Sequence, residues 1–222
     1  RFSQWIVLII LLPILTLPNT TVDGGSEIVG VRIFSEIEFR TQSALPNETD
    51  LIDYGTFQWM VIPKADLPGL DAMEVTYQAF ENPYTLALGG GSFDPLQSTP
   101  DFEESWNTSI SGTAPSLHLI QFQGPTKDTW LDLLTMNGLE IIQYIHPFTY
   151  VVWGNTASVE KAAGSGPVRW TGDFLPAYAV QPMNRRLGSE LIRLRAMIVP
   201  QAGLNQAVQA LEAMGAESLT AA

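Results

Sequence analysis

From Glu27 to Arg40 apolar and polar positions alternate, with Ile33, Ile37 and Phe39 set against Arg32, Glu36, Glu38 and Arg40. A period of two is the mark of a half-buried strand. Residues 41–55 lose the alternation and read as a loop or linker. A strand–helix–strand pattern then recurs three times. The first copy runs from Phe57–Pro63 through Ala65–Met73 to Glu74–Phe80. The second takes Leu117–Phe122, the helical stretch after Thr126, and Leu139–Ile145. The third takes Leu191–Pro200, a helix from Leu204, and the short Ala216–Leu219.

The second copy has the clearest periodicity. Trp130, Leu131, Leu133 and Leu134 make one apolar stripe on a short helix. Thr126 is its expected N-cap, and Asn137-Gly138 its expected left-handed close. His146-Pro147 predicts a turn, Thr149–Trp153 a partner strand, Asn155–Ala163 a second helix capped by Asn155, and Val168–Phe174 a last strand. In the third copy Leu204, Val208, Leu211 and Met214 form the stripe and Gly215 the close. The order over Leu117–Val180 is βαββαβ, the ferredoxin-like arrangement of two helices on one face of a four-stranded sheet. The expected fold class is therefore α+β: tandem ferredoxin-like βαββαβ modules, antiparallel sheet with helices on one face, the last module truncated after βαβ. The expected division is 1–25, a leader; 26–115, an acidic β-rich region with a first βαβ-like module; 116–182, the ferredoxin-like module; and 188–222, the incomplete start of another. Such a sheet covers one face with its helices and leaves the other bare for docking to another folded body.

The front of the chain has a different pattern. Trp5–Leu17 is an uncharged run of 13 residues behind Arg1. A membrane-spanning helix needs roughly 18 to 20 apolar residues, so this run fits the hydrophobic part of a secretory signal peptide, with cleavage near Asp23–Ser26. Pro13 within the run argues against a buried core helix. The expected location is secreted, the membrane being met only through the export signal; an uncleaved anchor is the alternative. Asn19, Asn47 and Asn107 each open an N-x-[ST] triplet, which suits an exported chain.

Composition narrows the function. The 222 residues hold 23 Asp+Glu against 11 Lys+Arg, for a net charge of −12. Residues 1–126 carry 15 acidic and four basic side chains, and residues 127–222 eight and seven. That balance argues against nucleic acid as a partner. The absence of cysteine removes disulfides, thiolate metal sites and a cysteine nucleophile.

Catalytic motifs are equally scarce. The sequence holds no GxSxG, HExxH, Walker loop or GxGxxG. Gly89-Gly90-Gly91-Ser92 lacks a following lysine and helix and reads as a turn. His118 sits between Leu117 and Leu119 and is expected to point away from the face those two bury. His146 lies in a turn, and both histidines read as exposed. Asp50/Asp53 and Asp101/Glu103/Glu104 could offer oxygen ligands to a hard cation, but they lack EF-hand spacing and read as solvated loops. Trp130 and Trp153 read as packing residues, whereas Trp170, Phe174 and Tyr178 form a candidate docking patch. No catalytic, cofactor or metal residue is assigned.

Several stretches resemble the N-terminal pro-region of exported subtilisin-like serine proteases, the S8 or subtilase family. They are YGTFQWMVIP, YTLALGGGSFDPLQSTP, LHLIQFQGP, NGLEIIQYI, YVVWGN and PVRWTGDFLPAY, spanning about residues 51–200. The resemblance implies a propeptide that assists folding of the cognate protease domain, in cis and downstream, and inhibits it by placing a tail in its cleft as an added strand. The family's catalytic contexts, Asp-Thr-Gly, His-Gly-Thr and Gly-Thr-Ser-Met-Ala, are absent from this chain. No catalytic residue is carried over, and calcium, which subtilases often bind, belongs to that missing domain. The rival readings are a stand-alone exported binding or protease-inhibitor module and a ferredoxin-like small-ligand domain.

Overall fold

The computed structural model describes residues 27–34, 51–107, 114–164, 166–180, 198–199 and 203–217. The leader, the strand pattern beyond Phe34 and most of the strand expected at Leu191–Pro200 lie outside the described residues. The chain is α+β, with antiparallel sheets and a few short helices. The first sheet contains β1 (Ile28–Ile33), β2 (Ile52–Asp53), β3 (Gln58–Pro63) and β4 (Tyr77–Glu81), with α1 (Leu67–Ala72) between β3 and β4. A hairpin follows, β5 (Leu86–Leu88) and β6 (Gly91–Phe93). The second sheet contains β7 (Ser116–Phe122), β8 (Glu140–Ile145), β9 (Thr149–Gly154) and β10 (Val168–Asp173). Helix α2 (Asp128–Met136) joins β7 to β8, and α3 (Thr156–Ala163) joins β9 to β10. Two further helices, α4 (Pro176–Ala179) and α5 (Leu204–Ala213), complete the described elements.

The lateral order is β2-β3-β1-β4 in the first sheet and β10-β7-β9-β8 in the second, all neighbours antiparallel. With strands numbered within each sheet, both orders read 4-1-3-2. This changes the phase of the sequence repeat. Phe57–Phe80 supplies strands three and four of its sheet, so it corresponds to Thr149–Asp173 rather than to Leu117–Ile145. Any strand–helix–strand unit has the same switch in hydrophobic period, so the pattern cannot tell the first half of a module from the second.

Each sheet has its own core. Val29, Val31 and Ile33 of β1 pack with Met60 and Ile62 of β3 and Leu70 of α1. Ile120, Phe122 and Val152 pack with Trp130 and Leu134 of α2 and Val159 and Ala162 of α3, so both helices cover one face of the second sheet. Helix α3 starts where Asn155 accepts a hydrogen bond from the Ser158 amide at 2.8 Å, and α2 ends as expected at Asn137 with Gly138 at φ 80°. Its start differs from the expectation. Lys127 holds the N-cap position without a side-chain cap bond, and the buried Thr126 hydroxyl has no partner among the described residues. Turn chemistry also places β2 inside the expected loop: Asp53 Oδ1 accepts from the Gly55 amide at 2.7 Å, and the Tyr54 amide donates to the Phe57 carbonyl. A two-residue strand is too short to show alternation.

The expected bare face of the second sheet is covered at its centre. Leu119 pairs with Val151 and Gln121 with Thr149, and all four are buried on the side away from α2 and α3. Gln121 Nε2 donates to the Tyr84 carbonyl at 3.1 Å, and Arg169 reaches Asp94, so the chain from Tyr84 to Asp94 lies over this side. His118 lies on the other side of β7, the side of Ile120, Phe122 and its register partner Val152 that faces α2 and α3, and is buried at 2 % exposure, not exposed. The alternation rule assumed one wet face, and β7 has none from His118 onward. Helix α5 forms as its stripe predicts but buries none of its residues, leaving Leu204 and Met214 (just past its end) exposed.

Candidate functional site

The three residues of the expected docking patch divide. Phe174 and Tyr178 meet edge to face at 5.8 Å, but Tyr178 also stacks on Phe93 at 6.3 Å and meets Phe102 at 5.8 Å. It therefore ties α4 to the region around β6, and burial raises its phenol pKa above the ordinary value. Trp170 is half-buried on β10, its indole filling the space a Cβ on Gly172 would need. It makes no ring contact with Phe174 or Tyr178 among those the structure shows.

Folding brings together two polar groups that were not legible in the sequence. The first is Ser116, His118 and Asp173. Ser116 Oγ lies 3.0 Å from His118 Nε2, and Asp173 Oδ1 lies 3.3 Å from His118 Nδ1. Asp173 stands opposite His118 in the β10–β7 register, and Ser116 precedes it by two residues on the same face. The order hydroxyl–imidazole–carboxylate is that of a serine hydrolase triad. Here Ser116 opens a strand whose register neighbour is Gly154 on β9, and the imidazole is sealed from solvent. The arrangement ties the ends of β7 and β10; it lacks the exposed elbow that presents a nucleophile to substrate. A search for acids near His118 in sequence misses Asp173, which is 55 residues away and meets it only through strand register.

The second group joins the two halves of the described chain. Arg169 sits at the irregularity between Val168 and Trp170, where β10 shifts register against β7. Its Nη1 and Nη2 donate to the two Asp94 carboxylate oxygens at 2.8 and 2.9 Å, and Nη1 also donates to Gln121 Oε1 at 2.8 Å. The guanidinium carbon lies 3.7 Å from the centre of the Tyr84 ring. A bidentate carboxylate, an amide oxygen and an aromatic face together satisfy a charge that burial would otherwise penalise. Tyr84 donates to the Gln123 carbonyl at 2.7 Å, and Trp59 Nε1 donates to the same carbonyl at 3.3 Å. Tyr54 donates to the Pro125 carbonyl, and Lys127 Nζ lies 4.7 Å from the Tyr54 ring centre.

The glycine run Gly89–Gly91 forms the turn and start of the β5–β6 hairpin, with Gly89 at φ 62° and Gly90 at φ 82°. Two consecutive left-handed residues suit a two-residue hairpin turn. His146 is exposed in its turn. Asp53 is exposed with an oxygen engaged by Gly55, Asp50 lies outside the described residues, and Asp101, Glu103 and Glu104 are exposed. Among the described residues no three His, Asp or Glu side chains converge as metal ligands, and no helix is long and apolar enough to cross a membrane.

Residues 87–175 match a family model described as a domain of unknown function (DUF8729). The match opens inside β5, closes just past β10 and so contains both Asp94 and Arg169. No curated protein and no solved structure matches the chain.

Proposed function

We propose that this chain is the pro-region of an exported subtilisin-like serine endopeptidase, a folding assistant and inhibitor built from tandem ferredoxin-like modules, with the protease domain outside these 222 residues. One observation carries the reading. Four of the six segments that resemble subtilase pro-regions fall in succession on one sheet: LIQFQGP on β7 and its turn, EIIQYI on β8, YVVWG on β9 and VRWTG on β10, with LPAY entering α4. The 4-1-3-2 order of that sheet, with both helices in one core, supports a ferredoxin-like module. The same order in the first sheet supports the tandem.

The cover over Leu119, Gln121, Thr149 and Val151 changes how such a pro-region would dock. A protease that takes the sheet face needs the Tyr84–Asp94 segment to leave; otherwise it uses another surface. That same cover favours a second reading, a stand-alone exported binding or inhibitor module whose sheet is closed by its own chain. The reading frame beyond Ala222 separates the two. A downstream domain carrying the Asp, His and Ser contexts, inhibited and helped to refold by this chain, is the expected result. A stop codon directly after Ala222 would remove the pro-region reading and leave the binding module.

A further inference from the structure

Arg32 occupies an unusual position for a cation in the acidic half of the chain. Residues 1–126 hold 15 carboxylates and four cations, of which Lys64 bonds both Glu27 and Glu81 at 2.9 Å. Arg32 makes no such pair among the described residues. Its guanidinium lies between two phenyl rings, 4.7 Å from the centre of Phe57 and 5.4 Å from that of Phe80. Its Nε is buried and has no hydrogen-bond partner among the described residues. The residue alternates with Val31 and Ile33, so it projects from the side of the first sheet opposite α1, in register with Trp59 on β3 and Gln78 on β4. Phe34, two residues along on that side, is 45 % exposed.

We propose that Arg32 is an anchor for a single carboxylate on an extended, otherwise apolar peptide segment of a partner. This binding site is independent of the pro-region reading. Aromatic faces hold the guanidinium in place and strip part of its water, which strengthens a charge-assisted hydrogen bond to an incoming carboxylate. The fixed fork also costs less ordering than a free surface arginine would. The terminal nitrogens of the half-buried side chain receive the ligand, while Nε stays sealed. Phe34 and the rim of Phe80 offer contact to the apolar neighbours of that carboxylate.

Charge decides the ligand class. The surrounding half carries a net charge of −11, and its field repels any polyanion approaching from beyond a Debye length. One carboxylate flanked by apolar residues feels little of that repulsion and gains the whole local contact. Phosphorylated peptides, free phosphate and nucleic acid are disfavoured on the same ground.

The test is titration of the full, isotopically labelled chain with a capped Val-Val-Glu-Val-Val peptide, its Gln counterpart and inorganic phosphate, read by NMR at the Arg32 side chain. The Glu peptide is expected to shift Arg32, Phe57 and Phe80 resonances saturably, and the Gln peptide to bind roughly tenfold or more weakly. Because this comparison uses the unaltered protein, it does not depend on any variant folding. Arg32→Met should abolish the difference between the two peptides, and Arg32→Lys should keep only part of it. Equal binding of both peptides, no shift at Arg32 with either, or a saturable response to phosphate alone would overturn the proposal.

Discussion

The Arg169 guanidinium and the Asp94 carboxylate, 75 residues apart, meet through two hydrogen bonds of 2.8 and 2.9 Å in a setting nearly closed to solvent. The pair fastens the segment after the β5–β6 hairpin to the face of the second sheet that hydrophobic alternation leaves open. Its bidentate geometry also fixes where that segment lies, which apolar contact alone would do less sharply.

Removing one member strands the other. Arg169→Met leaves the Asp94 carboxylate buried without its counter-charge and is expected to cost about 3–5 kcal/mol. The double variant R169M/D94N removes both charges and should recover a large part of that loss. Urea denaturation of the three proteins checks this. A double variant no more stable than the single one would show that the pair is not coupled.

Trp130 is expected to be the most costly single truncation in α2. It lies 5.3 Å from Phe122 and 6.3 Å from Tyr54, ring centre to ring centre, within the second core. Trp130→Ala should lose about 3–5 kcal/mol. A loss well under 1 kcal/mol in thermal or urea unfolding would place the indole outside the core.

Two glycines should respond oppositely to the same substitution. A Cβ on Gly124 would stand 2.6 Å from the Trp59 ring, which is buried and also meets Phe148 at 5.4 Å and Phe80 at 5.7 Å. Gly124→Ala is expected to destabilise by about 1–3 kcal/mol, because the indole has little room to yield. Gly69 lies within α1 with nothing near its missing Cβ, so Gly69→Ala should be neutral or stabilise by up to about 1 kcal/mol. Comparing the two midpoints in urea measures whether Trp59 is the rigid joint between the sheets.

Alkaline pH should loosen the fold through its half-buried phenols. Burial raises the pKa of Tyr54 strongly, with a further push from Tyr84, and burial raises that of Tyr178. Both therefore hold their protons longer in the folded chain than in the unfolded one. Their contribution is complete below about pH 10, the ordinary phenol value, and is lost as pH rises through the folded values. Melting temperatures should fall above that point while tyrosinate absorbance rises, and Tyr54→Phe should soften the fall. A melting temperature unchanged across that range, or identical slopes for both proteins, would count against it.

Much of the second sheet is legible in the sequence. The 3.6-residue stripe of α2, the Asn155 cap, the Asn137-Gly138 close and the strand run at Thr149 all form where the residues predict. These signals are local, written in side chains a few positions apart. The phase of the repeat is not legible, because first and second halves of a 4-1-3-2 sheet share one pattern of periods. His118 shows the limit most clearly. Alternation assigns it a face, but whether that face is wet depends on what lies across from it.

The sequence alone determined the α+β class, the succession of elements from β7 to β10 and the turn at Gly89-Gly90, because hydrophobic period, capping residues and left-handed glycines act within one or two turns of chain. Only the tertiary structure decided that Asp94 would find Arg169, that Asp173 would stand beside His118, and that Arg32 would lie between two phenyl rings with no acid beside it among the described residues. Those meetings depend on strand order and on one sheet seating against another, and no periodicity along the chain encodes distances across it.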